Sequence, residues 1–546
     1  GVKNRRNVVL GQMKKYNYLE DVIVDSIQLQ PLNLNYTPES HREGLATYFR
    51  EFLRAHMKTW INDENNRKPD GSKYNLNTDG LKIYTTINYS MQEMAENAVL
   101  THMPRLQKEF FEQNETLDDS IAPFRELTSG AVDTLLRISM RRSERWRKMK
   151  YDLKKDNEEI EESFFVPKEM TVFSWEGEID TIMTPLDSMK YYKSFFRPGM
   201  MSMDPTNGYI KAWVGGMNYR HFQYDMVKKG KRQIGSTFKP FVYAAAIDQL
   251  KLSPCDTFPD SQFCIEKNKF GNVEQWCPKN SGDKYGRTRT LKNALANSVN
   301  TVTARLMDRI GPRTVVKLAK DLGIEQRILP VPSIALGTPD LSVYEMVAAY
   351  STFANKGVYT QPVFIERIED KNGTTLYENK PVTRDVLSEE AAYVTVNLLE
   401  GVTKAGSGTR LRTTGADEFN RAYQNVVTGY PYEFTNPIAG KTGTTQNQSD
   451  GWFIGMVPNL VTGVWVGAED RAIHFEDIAY GQGASMALPI WGVYMKSVYQ
   501  DSTLMISKDS FERPKRLSIE LDCNKFVIDS IGSGKTTDQE ILDIDF

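Results

Sequence analysis

The sequence predicts an α+β fold in which helices flank a five-stranded antiparallel sheet, preceded by an N-terminal linker domain. The first observation is a pair of apolar runs separated by the turn-forming segment 204–208. The second is a group of three apolar runs between residues 438 and 466, the last two joined by Pro458-Asn459. The third is the helical pattern of the long stretch between the two groups. Distant segments thus supply the two edges of one sheet, which is typical of an α+β layer architecture.

The five predicted strands are short and are joined in part by hairpins, which makes them antiparallel. They comprise residues 200–203, 209–214, 438–445, 452–457 and 460–466. One helix between them has clear ends, because Ser342 and Glu345 form a capping box and Gly357 ends it. Its inward-facing side chains are predicted to be Met346, Ala349 and Phe353.

The composition is that of an ordinary globular protein with nearly balanced charge. The 546 residues include 68 Lys and Arg and 70 Asp and Glu, giving a net charge of −2. A nucleic-acid-binding protein would need a basic excess or a concentrated basic stripe, so no nucleic acid is expected as a partner. The chain has no apolar run of about 18 residues, which predicts no transmembrane helix within it. The histidines lack ligand spacing, so neither a metal site nor a cofactor is expected.

The cysteines suggest disulfide chemistry. Cys255, Cys264 and Cys277 lie close together in the sequence, and the fourth cysteine is Cys523. If a hairpin turn is centred on Phe270-Gly271, Cys264 and Cys277 become cross-strand neighbours. A disulfide between these two is our hypothesis, and it would fit an oxidising compartment.

Three short motifs carry the candidate chemistry. In chain order they are Ser236-Thr-Phe-Lys239, Ser298-Val-Asn300 and Lys441-Thr-Gly443. Each alone is common in loops and turns, but their order and setting together indicate a catalytic site. The first pattern occurs twice, since Ser281-Gly-Asp-Lys284 also fits it. Ser236 opens an apolar helix, whereas Ser281 lies in a loop that would not hold its lysine on the same helical face, so the nucleophile is assigned to Ser236.

Lys239 is predicted to be the base that deprotonates Ser236. Residues three apart on a helix are neighbours on its surface, so the Lys239 amine can reach the Ser236 hydroxyl. The positive end of the helix dipole favours the developing alkoxide. A lysine with its usual pKa of about 10.4 is a poor base at neutral pH. Burial and a neighbouring positive charge lower that pKa, and we expect Lys441 to supply the charge.

The strand that carries Lys441 is predicted to bind the substrate. The backbone N–H groups of Ser236 and Thr444 would form an oxyanion hole. Gly443 would let a substrate backbone lie close to the strand. The hydroxyls of Thr442 and Thr444, together with Lys441, would hold a substrate carboxylate.

The second motif is predicted to serve the leaving group. Ser298 would relay a proton to it, and Asn300 would orient the substrate amide. The predicted catalytic residues are therefore Ser236, Lys239, Ser298, Asn300 and Lys441, and the predicted substrate-binding residues are Thr442, Gly443 and Thr444.

The motifs and their flanks resemble those of the class A penicillin-binding proteins. A serine nucleophile, Ser-x-Asn and Lys-Thr-Gly in this order are the signature of penicillin-binding proteins and serine β-lactamases. Arg232-Gln-Ile-Gly-Ser-Thr-Phe-Lys-Pro240 is similar to the family's R-Q-P-G-S-x-F-K-P and departs from it only at Ile234. Further similar stretches are Trp276-Cys-Pro-Lys-Asn280, residues 290–300, Ala335-Leu-Gly-Thr338 and Asp450-Gly-Trp-Phe-Ile-Gly455.

The resemblance implies the penicillin-binding transpeptidase fold and a peptidoglycan D,D-transpeptidase reaction. Ser236 would attack the D-Ala–D-Ala carbonyl of a stem peptide and expel the terminal D-Ala, leaving an acyl-enzyme. An amine of a neighbouring stem would resolve the acyl-enzyme and make the cross-link. β-Lactam antibiotics would inhibit the enzyme by leaving Ser236 acylated. Peptidoglycan stem peptides, β-lactams and other cell-wall synthesis proteins are the implied partners.

The resemblance also divides the chain. It implies a C-terminal remnant of a glycosyltransferase domain at 1–40, a linker region with a charged helical insertion at 41–196 and a transpeptidase domain at 197–500, followed by a C-terminal extension of unknown role at 501–546. Most of the glycosyltransferase domain is missing, so no glycan polymerase activity is expected. Class A members carry an N-terminal membrane anchor, so the full-length protein is expected at the periplasmic face of the inner (cytoplasmic) membrane. The segment itself is expected to be soluble.

Alternatives to a transpeptidase are a β-lactamase, a D,D-carboxypeptidase and a non-catalytic penicillin-binding sensor. One class of β-lactamase uses the glutamate of an E-x-x-L-N stretch to activate water, and this pattern does not occur in the chain. A carboxypeptidase differs only in using water as the acceptor, which depends on the shape of the groove. A sensor would keep the pocket and work by binding alone, but the intact set of three motifs favours an enzyme.

Overall fold

The computed structural model describes residues 2–32, 41–412 and 426–526, and the chain divides into two units, Gly1–Gly44 and Leu45–Phe546. The first unit contains two helices, α1 (Val2–Lys15) and α2 (Asp21–Leu29). The Arg6 guanidinium of α1 donates hydrogen bonds of 3.0 Å to the carbonyls of Gln28 and Gln30. Carbonyls at a helix C-terminus lack intrahelical partners, so this contact caps α2 and joins it to α1.

The N-terminal part of the second unit is mainly helical. Its elements are α3 (Thr47–Asn62), β1 (Lys82–Thr85), α4 (Tyr89–Asn114), α5 (Ser129–Arg142), α6 (Glu144–Arg147), α7 (Asn157–Glu162), β2 (Lys168–Ser174), β3 (Gly177–Met183) and α8 (Pro185–Lys193). Only residues 86–88 separate β1 from α4. The Asn88 side chain caps α4 by accepting a hydrogen bond from the Met91 N–H.

The charged insertion in this region is helical but not continuous. Ser143 and Asp156 each accept a hydrogen bond from a backbone N–H three residues later, so each starts a new short helix. A π-helical segment, Lys148–Asp152, lies between these two starts. The pieces still bury a common apolar cluster that includes Met140 and Ile160.

The rest of the second unit alternates strands and helices. Its strands are β4 (Arg197–Met203), β5 (Ile210–Val214), β6 (Arg232–Gln233), β7 (Thr257–Pro259), β8 (Thr288–Thr290), β9 (Asp340–Leu341), β10 (Val358–Thr360), β11 (Ile365–Glu369), β12 (Thr375–Glu378), β13 (Thr383–Asp385), β14 (Ala439–Thr444), β15 (Asp450–Val457) and β16 (Leu460–Gly467). Its helices are α9 (Lys239–Leu250), α10 (Leu291–Ala296), α11 (Asn300–Ile310), α12 (Pro312–Asp321), α13 (Val343–Ala354), α14 (Glu389–Ala405), α15 (Ile478–Gly481), α16 (Gly483–Met486) and α17 (Leu488–Gln500).

The central sheet has the strand order β14–β15–β16–β4–β5, and each neighbouring pair is antiparallel. This confirms the predicted five-stranded antiparallel sheet, whose two edges come from segments far apart in the chain. Every residue of β15 and β16 is buried, because both faces of the sheet are covered by helices. Ile454 and Trp465 belong to the core shared with α9 and α13. Phe453 and Val464 belong to the core shared with α4 and α17.

The capping box predicted at the start of α13 is present. The Ser342 hydroxyl accepts a hydrogen bond from the Glu345 N–H at 3.2 Å, and the Glu345 carboxylate accepts one from the Ser342 N–H at 3.0 Å. The predicted inward-facing side chains of this helix, Met346, Ala349 and Phe353, are all buried. The cap therefore fixes where α13 begins, and its apolar face holds it on the sheet.

The C-terminal extension packs against the core as far as residue 526. Phe511 and Ile519 are buried in the core that contains α9 and α13. The Glu390 carboxylate at the start of α14 accepts a hydrogen bond from the Ile519 N–H at 3.1 Å. The Ser253 hydroxyl donates to the Glu520 carbonyl at 2.6 Å. This part of the extension thus covers the C-terminal end of α9 and the N-terminal end of α14.

All four cysteines are paired. The hypothesis of a Cys264–Cys277 disulfide is confirmed, since these residues flank the bridge between Ile265 and Trp276. The second disulfide joins Cys255 to Cys523, 268 residues away, and the sequence did not predict it. It attaches the C-terminal extension to the segment that follows α9.

The two disulfides are expected to differ in their contribution to stability. By the loop-closure entropy of the unfolded chain, a bond across 268 residues stabilises by about 6 kcal/mol and one across 13 residues by about 3 kcal/mol. Replacing Cys255 and Cys523 by serine should therefore lower the guanidinium unfolding midpoint more than replacing Cys264 and Cys277. Equal midpoints for the two double variants would contradict this expectation.

Candidate active site

Ser236 lies on a short 3-10 helix, Gly235–Phe238, that leads directly into α9. The preceding Gly235 has a φ of +52°, which favours glycine. A Cβ at this position would also lie 2.8 Å from the Thr444 carbonyl oxygen of β14. Glycine thus lets the 3-10 helix that carries Ser236 pack against β14, the edge strand of the sheet. Ser236 itself is half-buried.

Lys239, at the start of α9, is fully buried. Its ammonium nitrogen donates to the Ser298 hydroxyl at 3.1 Å and to Asn300 Oδ1 at 2.6 Å, and it also contacts the Ser298 carbonyl. In the described part of the chain, no hydrogen bond joins Lys239 to the Ser236 hydroxyl. The lysine one turn after Ser236 is therefore held by the second motif.

Ser298 lies between the two lysines. Its hydroxyl accepts hydrogen bonds of 3.1 Å from both Lys239 Nζ and Lys441 Nζ. Its φ of +56° is in the left-handed region, where a residue other than glycine is strained. Two buried amines thus converge on one hydroxyl.

Burial lowers the pKa values of both lysines, and the charge of Lys441 lowers that of Lys239 further. Burial, followed by the charge of Lys441, holds the pKa of Lys239 well below its usual value. Burial lowers the pKa of Lys441 to about 7. The expectation that Lys441 acts on the pKa of Lys239 is confirmed in direction, with burial as the larger cause.

Asp260 and Asn280 support the second motif, although no role was predicted for either residue. Asn280 Oδ1 accepts hydrogen bonds from the N–H groups of Asn300 and Thr301, at 3.0 and 3.2 Å. Asn280 Nδ2 donates to Asp260 at 2.7 Å, and the Thr301 hydroxyl donates to the same carboxylate at 2.7 Å. Arg289 completes the set by donating to Asp260 at 2.6 Å. The start of α11 is therefore fixed by a charged, hydrogen-bonded network.

Lys441, Thr442, Gly443 and Thr444 lie on β14, the edge strand next to Ser236. The hydroxyls of Thr442 and Thr444 are both engaged. Thr442 pairs with the Ser407 hydroxyl at 2.5 Å, and Thr444 accepts a hydrogen bond from the Gly483 N–H at 3.1 Å. A Cβ at Gly443 would lie 2.8 Å from the Ile234 carbonyl. In the structure, glycine is required at this position by the close approach of the chain just before Ser236, and not by a bound substrate.

Asp450 and Arg232 attach the residues just before Ser236 to the sheet. No role was predicted for either of them. The Arg232 guanidinium donates to the fully buried Asp450 carboxylate at 2.7 Å. The Trp465 indole N–H donates to the same oxygen at 3.0 Å. Trp452 adds a hydrogen bond of 2.9 Å to the Gln233 carbonyl. The residues before Ser236 are thereby fixed to β15 and β16.

The competing Ser281–Lys284 pattern has none of this organisation. Ser281 and Lys284 are both exposed. The short 3-10 segment Ser281–Asp283 is broken by Gly282, which has a φ of +65°. The structure thus brings together all eight predicted site residues and leaves this second serine at the surface.

Residues 2–32, 41–412 and 426–526 contain neither a metal-binding cluster nor a membrane-spanning helix. Within them, no group of three or more His, Cys, Asp or Glu side chains is arranged to hold a metal ion. Within the same ranges, none of the helices combines the length and the apolar character needed to cross a bilayer.

Comparison with known proteins identifies the family. The model of the penicillin-binding protein transpeptidase domain matches residues 199–470, and that of the penicillin-binding protein middle domain matches residues 119–196. Penicillin-binding protein 1A of Aquifex aeolicus (strain VF5) is 29% identical over 525 residues, which is 93% of this chain and 64% of the relative. The chain thus spans less than two thirds of that relative's length.

Two solved structures share the fold. The crystal structure of penicillin-binding protein 1A from Haemophilus influenzae has a TM-score of 0.60 at 22% identity, over 95% of this chain and 77% of that one. The PonA1 protein from Mycobacterium tuberculosis, in complex with penicillin V, has a TM-score of 0.54 at 20% identity, over 87% of this chain and 97% of that one.

The fold and the two matched domains define a penicillin-binding protein with a transpeptidase domain. Its relatives include penicillin-binding proteins 1A from Aquifex aeolicus and Pseudomonas aeruginosa. The chain belongs to the class A penicillin-binding proteins. The predicted family and the predicted transpeptidase fold are thereby confirmed.

Proposed function

We propose that the protein is a peptidoglycan D,D-transpeptidase that cross-links stem peptides through an acyl-enzyme on Ser236 and is inhibited by β-lactams. The observation that carries the proposal is the convergence of Lys239 and Lys441 on the Ser298 hydroxyl beside a half-exposed serine. Both amines have lowered pKa values, which suits proton transfer at neutral pH. Lys441 lies on the edge strand β14, and an exposed sheet edge is where an extended peptide can add as a further strand.

Acylation begins with attack by Ser236 Oγ on the carbonyl carbon of the D-Ala–D-Ala bond. The hydroxyl proton passes to the neutral Lys239 amine, and the new oxyanion accepts hydrogen bonds from the N–H groups of Ser236 and Thr444. Collapse of the intermediate breaks the C–N bond, and Ser298 passes a proton from the lysines to the departing D-Ala amine. Asn300, which is hydrogen-bonded to Lys239, orients the substrate amide.

Deacylation repeats these proton transfers in the opposite direction. An acceptor amine attacks the ester carbonyl, its proton passes to Lys239, and the ester C–O bond breaks with return of a proton to Ser236. A β-lactam enters the same pathway, because its ring amide stands in for the D-Ala–D-Ala bond. Its leaving amine remains tethered to the acyl group, so Ser236 stays blocked.

The carboxylate of the terminal D-Ala binds to the β14 side of the cleft. Lys441, Thr442 and Thr444 present an ammonium group and two hydroxyls on one strand. A carboxylate accepts such donors in charge-assisted hydrogen bonds. These residues therefore select donor peptides that end in a free carboxylate.

We infer the cellular setting from the disulfides and from the family. Two disulfides fit an oxidising compartment. We place the full-length protein on the periplasmic face of the inner membrane, anchored by a segment N-terminal to this chain. In this proposal residues 197–500 are the catalytic domain, and other cell-wall synthesis proteins are its partners.

An acceptor assay tests the reaction class. Incubation with a stem peptide that ends in D-Ala–D-Ala and with an amine-bearing acceptor stem should release D-Ala and yield a cross-linked dimer in equal amounts, which mass spectrometry can quantify. Release of D-Ala without dimer would identify a D,D-carboxypeptidase instead. Penicillin binding without D-Ala release would identify a sensor.

A further inference from the structure

A tight turn after α14 connects the second and third motifs. It consists of Gly406, Ser407 and Gly408. The Ser407 N–H donates to the Ala296 carbonyl at 3.1 Å, two residues before Ser298. A Cβ at Gly406 would lie 2.2 Å from the same carbonyl oxygen. The turn is therefore fixed closely to the segment that carries Ser298.

From this position the Ser407 side chain reaches the third motif. Its hydroxyl lies 2.5 Å from the Thr442 hydroxyl of β14. Ser407 is half-buried, whereas Thr442 is buried. One serine thus spans the gap between the Ser298 segment and the predicted carboxylate-binding strand, and part of it is open to solvent.

The hydrogen-bond donors in this wall of the cleft are not all used. Each hydroxyl carries one hydrogen, so the Ser407–Thr442 contact uses one and leaves the other available. A lysine ammonium carries three hydrogens, and those of Lys441 engage the Ser298 hydroxyl and the Thr442 carbonyl. Among the described residues, the third hydrogen of Lys441 has no partner. Lys441 and Thr442 are consecutive residues of β14, and unused donors on one strand suit a group that only accepts hydrogen bonds, such as an ionised carboxylate.

We propose that Ser407 is a positioning residue for recognition of the donor peptide's terminal carboxylate. The Ser407 hydroxyl donates to Thr442 Oγ1, so the Thr442 hydrogen is directed away from Ser407 and toward the carboxylate beside Lys441. This inference rests on the proposed function and names a residue outside the three motifs that serves it. Ser407 acts on binding of the carboxylate and takes no part in proton transfer at Ser236.

The test compares a penicillin that has a free carboxylate with its methyl ester. For Ser407→Ala, the second-order acylation rate with the free acid should fall about ten- to hundredfold, as expected for a lost hydrogen bond that orients a charged contact. The rate with the methyl ester should stay within about twofold of the wild type, because the ester lacks the anion. Ser407→Thr keeps the hydroxyl and should restore the rate with the free acid.

Intact mass spectrometry measures each rate, and thermal unfolding confirms that each variant folds. Ser497→Ala serves as a matched control, since Ser497 is half-buried on α17 and bonds only to the Val493 carbonyl among the described residues. A Ser407→Ala variant that loses rate equally with acid and ester, or with neither, would overturn the inference. A wild-type protein that forms no adduct would refute the proposed function itself.

Discussion

Replacing Ser236 with alanine is expected to abolish the covalent adduct with penicillin. The variant keeps Lys239, Ser298 and Lys441 in place but lacks the oxygen that forms the ester. Loss of the nucleophile in a serine hydrolase reduces turnover about 10⁶-fold, so the acylation rate should fall below detection. Intact mass after mixing with penicillin measures the outcome, because the wild-type protein gains the full mass of the β-lactam.

Ser281→Ala is the matched control for this experiment. Ser281 shares the serine–lysine spacing of the first motif, but it is exposed on a broken 3-10 segment. This variant should form the adduct at the wild-type rate. An adduct that persists in Ser236→Ala and disappears in Ser281→Ala would refute the assignment of the nucleophile.

Replacing Lys239 with arginine should reduce the acylation rate about 10²- to 10⁴-fold, the usual contribution of a general base. Arginine keeps the positive charge, but its pKa above about 12 prevents it from accepting a proton. In the wild type, the acylation rate should rise with pH as Lys239 loses its proton. The midpoint of that rise should lie well below the usual lysine pKa, because burial and Lys441 favour the neutral amine. The arginine variant should lack the rise.

Lys441 is expected to determine how the acylation rate falls at high pH. Its pKa of about 7 means that it loses its positive charge as the pH rises through that value. Acylation by substrates with a free carboxylate should therefore decline above pH 7, and acylation by a methyl ester should not.

Lys284→Arg, which changes an exposed lysine in the competing motif, is the control for Lys239→Arg and should match the wild type throughout. A pH-dependent rise that persists in Lys239→Arg would show that another group is the base.

The sheet could be predicted because its signals are local. The β15 and β16 strands are buried on both faces, so they appear as continuous apolar runs, and Pro458-Asn459 marks the turn between them. The capping box at Ser342 and Glu345 was likewise recognisable from two residues three apart. The Cys264–Cys277 disulfide followed from a hairpin contained in a single short segment.

Contacts between distant segments could not be predicted in this way. Spacing on a helix suggested that Lys239 bonds to Ser236, but Ser236 lies on a 3-10 segment and Lys239 turns toward Ser298, which is 59 residues away. Nothing local to Ser407 indicates that it meets Thr442, because the two residues are 35 positions apart in the chain. No local pattern marks Asp260 as part of the site, because its partners Asn280, Arg289 and Thr301 are all at least 20 residues away in the chain. The sequence shows which residues are present, but the tertiary fold decides which of them meet.

The bond between Cys255 and Cys523 closes a covalent ring in the polypeptide. Ser298 and Lys441 lie within the ring, whereas Ser236 lies on the tail that leaves it toward the N-terminus. A single proteolytic cut inside the ring therefore releases no fragment until the bond is reduced. On a non-reducing gel, the nicked enzyme would still migrate as one species, and after reduction a fluorescent penicillin would mark only the fragment that contains Ser236.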